Sequence, residues 1–151
     1  MPIQLRNENV PSNFDKMDYL LDYHWDEVAK NKELMVLAPD YAKYRTLSDM
    51  GKLIGIYAYD EDVMVGYSVN IIDTHLHYKN LLACSNDVLF LSKEYRNSTV
   101  GLRLKKETEK VAKAQGAQIM LWHAKEGSSL SLILQTQKYD VQDIVYSKTL
   151  A

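Results

Sequence analysis

The sequence predicts a single domain, residues 1–151, of mixed α/β architecture, with a mostly antiparallel sheet flanked by helices. Two runs rich in Ile, Val and Tyr stand on either side of a short acidic link, which is typical of an antiparallel hairpin. Farther along, a strand pattern, a helix pattern and a second strand pattern follow one another, which predicts a crossover between parallel strands. A chain of 151 residues can bury a sizeable core without disulfides or a structural metal.

The N-terminal part is predicted to be helical. Within residues 13–30, apolar side chains recur at steps of three and four, and Ser12 or Asn13 is available as a cap. The members of this stripe are Phe14, Met17, Leu20, Leu21, Trp25 and Val28. After a connection and a break at Pro39, a shorter helix is expected over residues 41–50.

The middle of the chain supplies the predicted strands. Residues 53–59 and 63–72 form the hairpin, and residues 60–62 form its turn. After a polar insertion, THLHYKN, residues 87–92 predict a third strand, which should be buried on both faces because it is nearly all apolar.

Two helices and two strands complete the predicted order. Residues 99–115 carry an apolar side and a charged side and then meet Gly116, which indicates a helix with a glycine stop. Residues 118–122 predict a buried strand, residues 128–135 a short helix, and residues 141–147 a final strand.

Charge and composition exclude several classes of partner. The formal net charge is −2, so the chain has no basic field for nucleic acid or for an anionic membrane surface. The basic residues of the helix over 99–115 alternate with Glu107 and Glu109, which is typical of a solvated helix face. There is no apolar run of about 18 residues and no secretory-type N-terminus, and we therefore expect a cytoplasmic protein without a membrane partner.

No metal centre and no thiol nucleophile are expected. His75 and His77, near Asp73, share a face only in a strand, and no further His or Cys stands beside them. The lone Cys84 has no partner for a disulfide and no evident His or Asn partner pattern, so packing is its expected role.

The stretch YRNSTVGLRL, residues 95–104, joins the third predicted strand to a helix. A strand that breaks into small and polar residues and then enters a helix presents backbone N–H groups at a positive helix end. This turn is therefore a candidate anion site.

The longer stretch LFLSKEYRNSTVGLRLKKETEKVAKAQGA resembles the strand, pyrophosphate loop and helix of the GNAT (GCN5-related) acyl-CoA N-acyltransferases. In the family's loop, Arg/Gln-x-x-Gly-x-Gly/Ala, Arg96 matches the first position and Gly101 the last, while Thr99 stands where the middle glycine is usual. The predicted order of strands and helices also matches the family's pattern, so the resemblance covers residues 53–150. HLHYKN, NDVLFLS and LWHAK resemble short GNAT-type proteins of tailed bacteriophages, which suggests a phage origin and a host cytoplasm.

The resemblance implies a GNAT fold with two parallel strands that splay apart, and a site for acetyl-CoA. The backbone of Leu89, Phe90 and Leu91 would pair with the pantetheine arm, although these residues also fit a plain core strand. The pyrophosphate would lie in a cradle formed by Arg96, Asn97, Ser98, Thr99, Val100, Gly101 and Leu102. Ser128 can donate to the cofactor, with ordinary N-capping as the favoured interpretation, and Arg103 and Lys106 can hold the 3′-phosphate of CoA.

The resemblance also implies acetyl transfer to an amine by direct attack in a ternary complex. A backbone N–H near Leu91 would stabilise the oxyanion. His123, at the end of the second parallel strand, is the first candidate base, because imidazole titrates near neutral pH, and Glu94 is the second. The tyrosine common in the family's last helix is replaced by Leu134, so the acid would be Tyr139, Tyr146, a serine within residues 128–131 or water.

The acceptor stays open: a polyamine, an aminoglycoside-like molecule, or a lysine or N-terminus of a protein all fit the near-neutral charge. An alternative is a non-catalytic binding protein of the same fold, which engages a host protein through its Tyr-rich N-terminal helices. A third hypothesis is an enzyme for a longer acyl-CoA. We also expect a homodimer, because the hairpin and the last strand of such a fold lie near edges that can pair between subunits.

Overall fold

The computed structural model describes residues 2–150 and contains five strands and four α-helices in that range. The strands are β1 (Gln4–Asn7), β2 (Leu53–Asp60), β3 (Val63–His75), β4 (Tyr78–Leu91) and β5 (Ile119–Leu121). The helices are α1 (Phe14–Val28), α2 (Tyr41–Asp49), α3 (Val100–Ala114) and α4 (Ser129–Thr136). No helix among residues 2–150 is both long and apolar enough to cross a membrane.

The strands form one mixed sheet in the order β1-β2-β3-β4-β5. All neighbours are antiparallel except β4 and β5, which are parallel and joined through α3. The predicted mixed, mostly antiparallel architecture is therefore confirmed. The predicted glycine stop of α3 is also present, since Gly116 follows the helix with φ of 99°, a conformation that favours glycine.

Both faces of the sheet are covered, because successive side chains of a strand point to opposite sides. Tyr57 and Tyr59 of β2 face the layer of α1 and α2, where they meet Phe14 and Met17. On the other face, Ile54, Ile56, Ile72 and Cys84 pack against Leu104 and Ala112 of α3. Burial raises the pKa of the Cys84 thiol to about 11, in keeping with a packing role.

The third strand is longer than the sequence predicts. β4 begins at Tyr78, and THLHYKN forms the end of β3, the tight turn and the start of β4 instead of an insertion. The polar residues at this end of the hairpin are exposed, so the apolar pattern used for prediction does not extend into it. Asp87, at the predicted start of a strand buried on both faces, is also exposed.

Two features of the chain ends differ from the prediction. β1 was not predicted, because its four residues, QLRN, carry a single apolar side chain. The predicted final strand over residues 141–147 is wrong: residues 140–150 form neither a strand nor a helix, and the sheet ends at β5. A strand requires a partner edge, and this segment does not lie against one. β5 itself is shorter than predicted and only half-buried.

Candidate active site

The parallel strands β4 and β5 separate after a short stretch of pairing. Only Ala83, Cys84 and Ser85 of β4 pair with β5, where their partners are Ile119 to Leu121. β4 continues to Leu91 and pairs there with β3 alone. One edge of β4 beyond Ser85 is therefore without a neighbouring strand, as expected for splayed strands.

A bulge marks the point of separation. Val69 pairs with Val88 and Asn70 with Asn86, so Asp87 is the extra residue on β4. The bulge is held by the amide of Asn86, whose Nδ2 donates to Asn70 Oδ1 (2.9 Å) and to the Val88 carbonyl oxygen (3.1 Å). Bulges bend a strand and re-aim its side chains and backbone, and this one turns β4 away from β5.

The open edge presents backbone groups of Leu89 and Leu91. The Ser92 N–H donates to the Val65 carbonyl oxygen (2.8 Å), so Ser92 directs its backbone groups toward β3. Phe90, two residues earlier, does the same. Because bonding alternates along an antiparallel pair, Leu89 and Leu91 direct their N–H and C=O groups to the opposite, open side. These groups can pair with an extended ligand that lies along β4.

The open edge leads to the N-terminus of α3. Thr99 precedes the helix in the αR region, with φ of −79° and ψ of −1°, so a threonine is accommodated there without strain. The Val100 N–H is 3.3 Å from Ser98 Oγ, whereas the N–H groups of Gly101 and Leu102 lie in the first turn, where a helix provides no acceptor. Asn97, Ser98, Thr99 and Leu102 are exposed and Gly101 is half-buried.

Gly101 leaves room at this helix end. A Cβ placed there would meet only the Leu91 Cδ2 atom, at 3.7 Å. The backbone can therefore approach a phosphate closely, and the donor set suits the pyrophosphate of CoA. Arg103 and Lys106 are exposed on the next turn, and the Arg103 guanidinium donates to the Ile3 carbonyl oxygen (3.0 Å).

The side chain of Arg96 is engaged within the protein. Its two terminal nitrogens pair with the carboxylate of Glu27 on α1, and its Nε donates to the Leu91 carbonyl oxygen (2.6 Å). The guanidinium holds the pKa of the Glu27 carboxyl below its usual range through this hydrogen bond. Glu94, the second candidate base, is exposed in the short 3₁₀ helix over residues 93–95.

α1 contributes an imidazole beside β4 that the sequence analysis missed. His24 Nδ1 lies 3.1 Å from the Tyr67 hydroxyl, and its ring packs against Phe90 with centroids 5.1 Å apart. Burial lowers the pKa of His24 to about 4, so the ring is neutral at pH 7. The signal available in the sequence was its spacing, since His24 follows Met17 and Leu20 on the apolar stripe of α1.

A second tyrosine marks the same face of the sheet. The Tyr44 hydroxyl on α2 donates to the carboxylate of Asp87, the bulge residue. Burial and this carboxylate raise the pKa of Tyr44 well above its ordinary value. Asp87, Tyr44 and His24 therefore lie along one side of β4, on the face that α1 and α2 cover.

The four predicted catalytic residues lie in different surroundings. His123 and Glu94 are exposed, and Tyr146 is 87% exposed in the C-terminal segment. The hydroxyl of Tyr139 accepts from Lys105 Nζ (2.6 Å) and donates to Glu109 Oε2 (2.5 Å), to which Trp122 Nε1 also donates (2.9 Å). Burial, together with Glu109, raises the pKa of Tyr139 well above 10.

Two further sites considered in the sequence are the serine before α4 and the two histidines near the β3–β4 turn. Ser128 caps α4, and its side chain accepts from the Ser131 N–H at 3.2 Å. His75 and His77 stack at the tip of the β3–β4 hairpin, with ring centroids 5.5 Å apart. Among residues 2–150, no group of three or more His, Cys, Asp and Glu side chains is arranged to hold a metal ion.

No protein-family model matches the sequence, and no curated protein matches it. Solved structures do. An aminoglycoside acetyltransferase, HMB0005, from an uncultured soil metagenomic sample superposes with a TM-score of 0.75 at 14% identity, covering 100% of this chain and 99% of that chain. The ribosomal-protein-alanine N-acetyltransferase of Brucella melitensis biovar Abortus 2308 gives a TM-score of 0.71 at 11% identity, covering 100% of both chains.

A third similar structure contains a ligand. AAC(6′)-Iy in complex with the bisubstrate analog CoA-S-monomethyl-acetylneamine gives a TM-score of 0.71 at 14% identity, and each chain is covered completely. These three structures are GNAT-fold acetyltransferases. The present chain therefore has the GNAT fold, as the resemblance in the sequence implied.

Proposed function

We propose that the protein is an acetyl-CoA-dependent N-acetyltransferase, formed by one GNAT-type domain, that acts on an amine in the cytoplasm. The observation that carries this proposal is the open edge of β4, which ends at the free N-terminus of α3. An extended amide-bearing arm followed by a pyrophosphate matches this sequence of donors and acceptors, and acetyl-CoA has both parts.

The chain's own groups have distinct roles in binding the donor. Leu89 pairs through its N–H and C=O groups with the pantetheine arm, because the Leu91 carbonyl oxygen already accepts from Arg96 Nε, and Phe90 supports the strand from the core. The backbone of residues 96–102 receives the pyrophosphate, and the space around Gly101 accommodates a Cβ but not a larger, negatively charged side chain beside a phosphate. When bound, acetyl-CoA supplies an acetyl group activated as a thioester. The Leu91 N–H, on the open side of β4, is the donor available to the thioester carbonyl oxygen.

Three side chains are candidates for the base that accepts the proton of the amine. His24 is neutral at pH 7 and packs against Phe90, so we add it to His123 and Glu94 as a candidate base. Its Nδ1 bonds to Tyr67, whereas Nε2 has no partner in the described chain and is not a buried unpaired atom, so solvent reaches it. For the proton of the departing thiolate, the candidates remain Tyr139, Tyr146, the serines of residues 128–131 and water.

The test is calorimetric titration with acetyl-CoA. Gly101→Glu places bulk and negative charge at the phosphate site, and Gly101→Ala is the matched control, because a Cβ fits there. We expect binding to the wild type and to Gly101→Ala, and at least a hundredfold loss in Gly101→Glu with unchanged unfolding. Absence of binding to the folded wild-type protein would overturn the proposal.

The second candidate is a non-catalytic protein of this fold that binds a host protein. It is favoured by Leu134, which replaces the usual tyrosine, and by the exposed rings of Tyr19 (71%) and Tyr23 (62%) on α1. Aromatic side chains are enriched in protein interfaces. If the wild type binds no acetyl-CoA, replacing both tyrosines with serine and measuring partner capture tests this alternative.

A further inference from the structure

The first strand, β1, forms an edge of the sheet, because it pairs with β2 alone among residues 2–150. The Glu8 N–H donates to the Gly55 carbonyl oxygen (3.0 Å), so Glu8 directs its backbone groups toward β2, and Arg6, two residues earlier, does the same. Leu5 and Asn7 alternate with them and direct their N–H and C=O groups outward. These outward groups can pair with an added strand.

A groove, which we call the β1–α3 groove, runs between this edge and α3. Its volume is about 730 Å³, and it is lined by residues 2–5 on one side and by one face of α3 on the other. The two sides meet where the Arg103 guanidinium donates to the Ile3 carbonyl oxygen (3.0 Å). This bond involves Ile3 alone, so it leaves the outward backbone groups of Leu5 and Asn7 available.

The fold separates the charges of α3 onto two sides of the helix. The Glu109 carboxylate accepts a hydrogen bond from the Tyr139 hydroxyl, away from the groove. Arg103, Lys106 and Lys110 are three and four residues apart and therefore share a face, which lines the groove beside β1. The charges that alternate along the sequence thus give a row of three cations along one wall of the β1–α3 groove.

Two carboxylates, those of Glu61 and Glu107, also line the β1–α3 groove, but they do not neutralise this row. Glu107 lies 3.9 Å from Lys110, whose side chain is 78% exposed, so this ion pair is weak. Arg103 and Lys106 form no ion pair with any residue of the described chain. The groove therefore has an excess of positive charge beside an open strand edge.

The opposite face of β1 is also basic. The Arg6 guanidinium lies over the Tyr59 ring, 4.0 Å from its centroid, and Lys16 Nζ is 3.3 Å from the Tyr59 hydroxyl. One carboxylate, that of Glu8, accepts from the same hydroxyl (3.3 Å). Successive side chains of a strand beside β1 would point to both faces of the sheet, and its carboxylates would meet cations on each.

We propose that the β1–α3 groove binds an extended acidic segment of a partner protein, which adds a strand to β1 and places its carboxylates beside the cations of α3. Backbone bonds to Leu5 and Asn7 would supply affinity, and the cations would select acidic segments. A second copy of this chain does not suit the edge. Pairing of two β1 strands would place both α3 helices on one face of the joined sheet, with their cations toward each other. This inference does not depend on acetyl transfer.

The experiment measures binding of a synthetic peptide to the full chain by fluorescence anisotropy. The probe is an end-capped peptide of about eight residues in which Glu and Val alternate, and the control peptide carries Lys in place of Glu. We expect the wild type to bind the Glu peptide and not the Lys peptide. Lys110→Glu should weaken binding about tenfold, whereas Lys79→Glu, the same charge change at an exposed lysine of β4, should leave it unchanged. Lys110 is chosen because Arg103 and Lys106 are candidates for the 3′-phosphate of CoA.

Hydrogen exchange, followed by NMR, tests whether the peptide pairs with the strand. The Leu5 amide should gain protection when the Glu peptide is added. Asn7→Pro removes an outward N–H at an exposed position, so it should weaken peptide binding with unchanged circular dichroism. Failure of the wild type to bind the Glu peptide, equal binding of both peptides, or full binding by Lys110→Glu would overturn the proposal. Protection of Leu5 that rises with protein concentration alone would indicate a second copy at this edge and would overturn it as well.

Discussion

Arg96 and Glu27, 69 residues apart in the sequence, form a bidentate ion pair that connects the loop before α3 to α1. The same guanidinium donates from Nε to the Leu91 carbonyl oxygen, at the end of β4. One side chain therefore connects the open strand, the loop and the helix that carries His24. Arg96 positions the loop, while the phosphate donors we propose are backbone groups.

The first prediction concerns this ion pair. Arg96→Ala and Glu27→Ala should each lower the free energy of unfolding, and the double variant should be less destabilised than the sum by about 1 kcal/mol. The value is modest because both side chains are about one-third exposed, at 34% and 32%. Urea denaturation of the four proteins measures the coupling. Strict additivity would show that the pair contributes nothing to the fold.

The second prediction compares two glycines near the open edge. A Cβ at Gly66 would lie 2.7 Å from the Phe90 carbonyl oxygen, so Gly66→Ala must displace β4 and should cost about 1–3 kcal/mol. Gly101→Ala has room and lies in a helix, so it should stabilise the protein by about 0.5–1 kcal/mol. Thermal and urea denaturation measure both. Equal effects of the two substitutions would contradict the described approach of β3 to β4.

The third prediction tests a buried polar cluster behind the bulge. Thr108 Oγ1 donates to the Leu104 carbonyl oxygen (2.8 Å) and lies 2.9 Å from Ser68 Oγ, with both residues fully buried. Thr108→Val keeps the shape and removes a partner of Ser68, which should cost about 1–2 kcal/mol.

Thr136 is a natural control for this substitution. Its hydroxyl makes the same bond to the residue four positions earlier, Leu132 (2.8 Å), but at an exposed site. Thr136→Val should change the free energy of unfolding by less than about 0.5 kcal/mol. If both valine variants are equally stable, the buried cluster is not a source of stability.

The fourth prediction concerns pH and His24. Its pKa is about 4 in the folded protein and 6.5 as a free side chain, so folding favours the neutral ring. The resulting stability is fully present above pH 6.5 and is lost as the pH falls from 6.5 toward 4. Between pH 7.5 and 4.5 the wild type should lose about 2–3 kcal/mol more than His24→Gln, as measured by urea denaturation.

An NMR titration provides the direct check on this assignment. The His24 ring signals should shift with a midpoint near pH 4 instead of the 6.5 of a free imidazole. A midpoint for His24 near 6.5 would show that the ring is not desolvated by Phe90 and Tyr67, and that it does not remain neutral through burial.

Local patterns in the sequence predicted the elements whose side chains alternate or repeat clearly. The stripe of Met17 and Leu20 identified α1, and the hairpin of β2 and β3 followed from its Val, Ile and Tyr content. β1 and the first half of β4 were missed, because their strand structure comes from pairing with β2 and β3. β1 carries a single apolar side chain, and β4 begins with three exposed residues, 78–80.

The candidate site also contains one part that local sequence shows and other parts that only the fold brings together. The loop over residues 95–104 could be proposed as an anion site from the sequence, because the strand, turn and helix that form it are adjacent in the chain. His24, Glu27 and Asp87 were not, since each becomes relevant only through a side chain far away in the chain: Tyr67, Arg96 and Tyr44. A local sequence pattern does not indicate which side chains, distant in the chain, come into contact in the fold.

The sequence by itself determined the order of most elements, the turn into α3 and the GNAT resemblance, because short-range periodicity and turn chemistry are properties of neighbouring residues. Only the tertiary structure decided where β4 and β5 part, which groups Arg96 and Tyr139 bind, and that residues 140–150 lie unpaired. Whether an apolar stretch becomes a strand depends on an available edge, and an edge exists only once the sheet has formed.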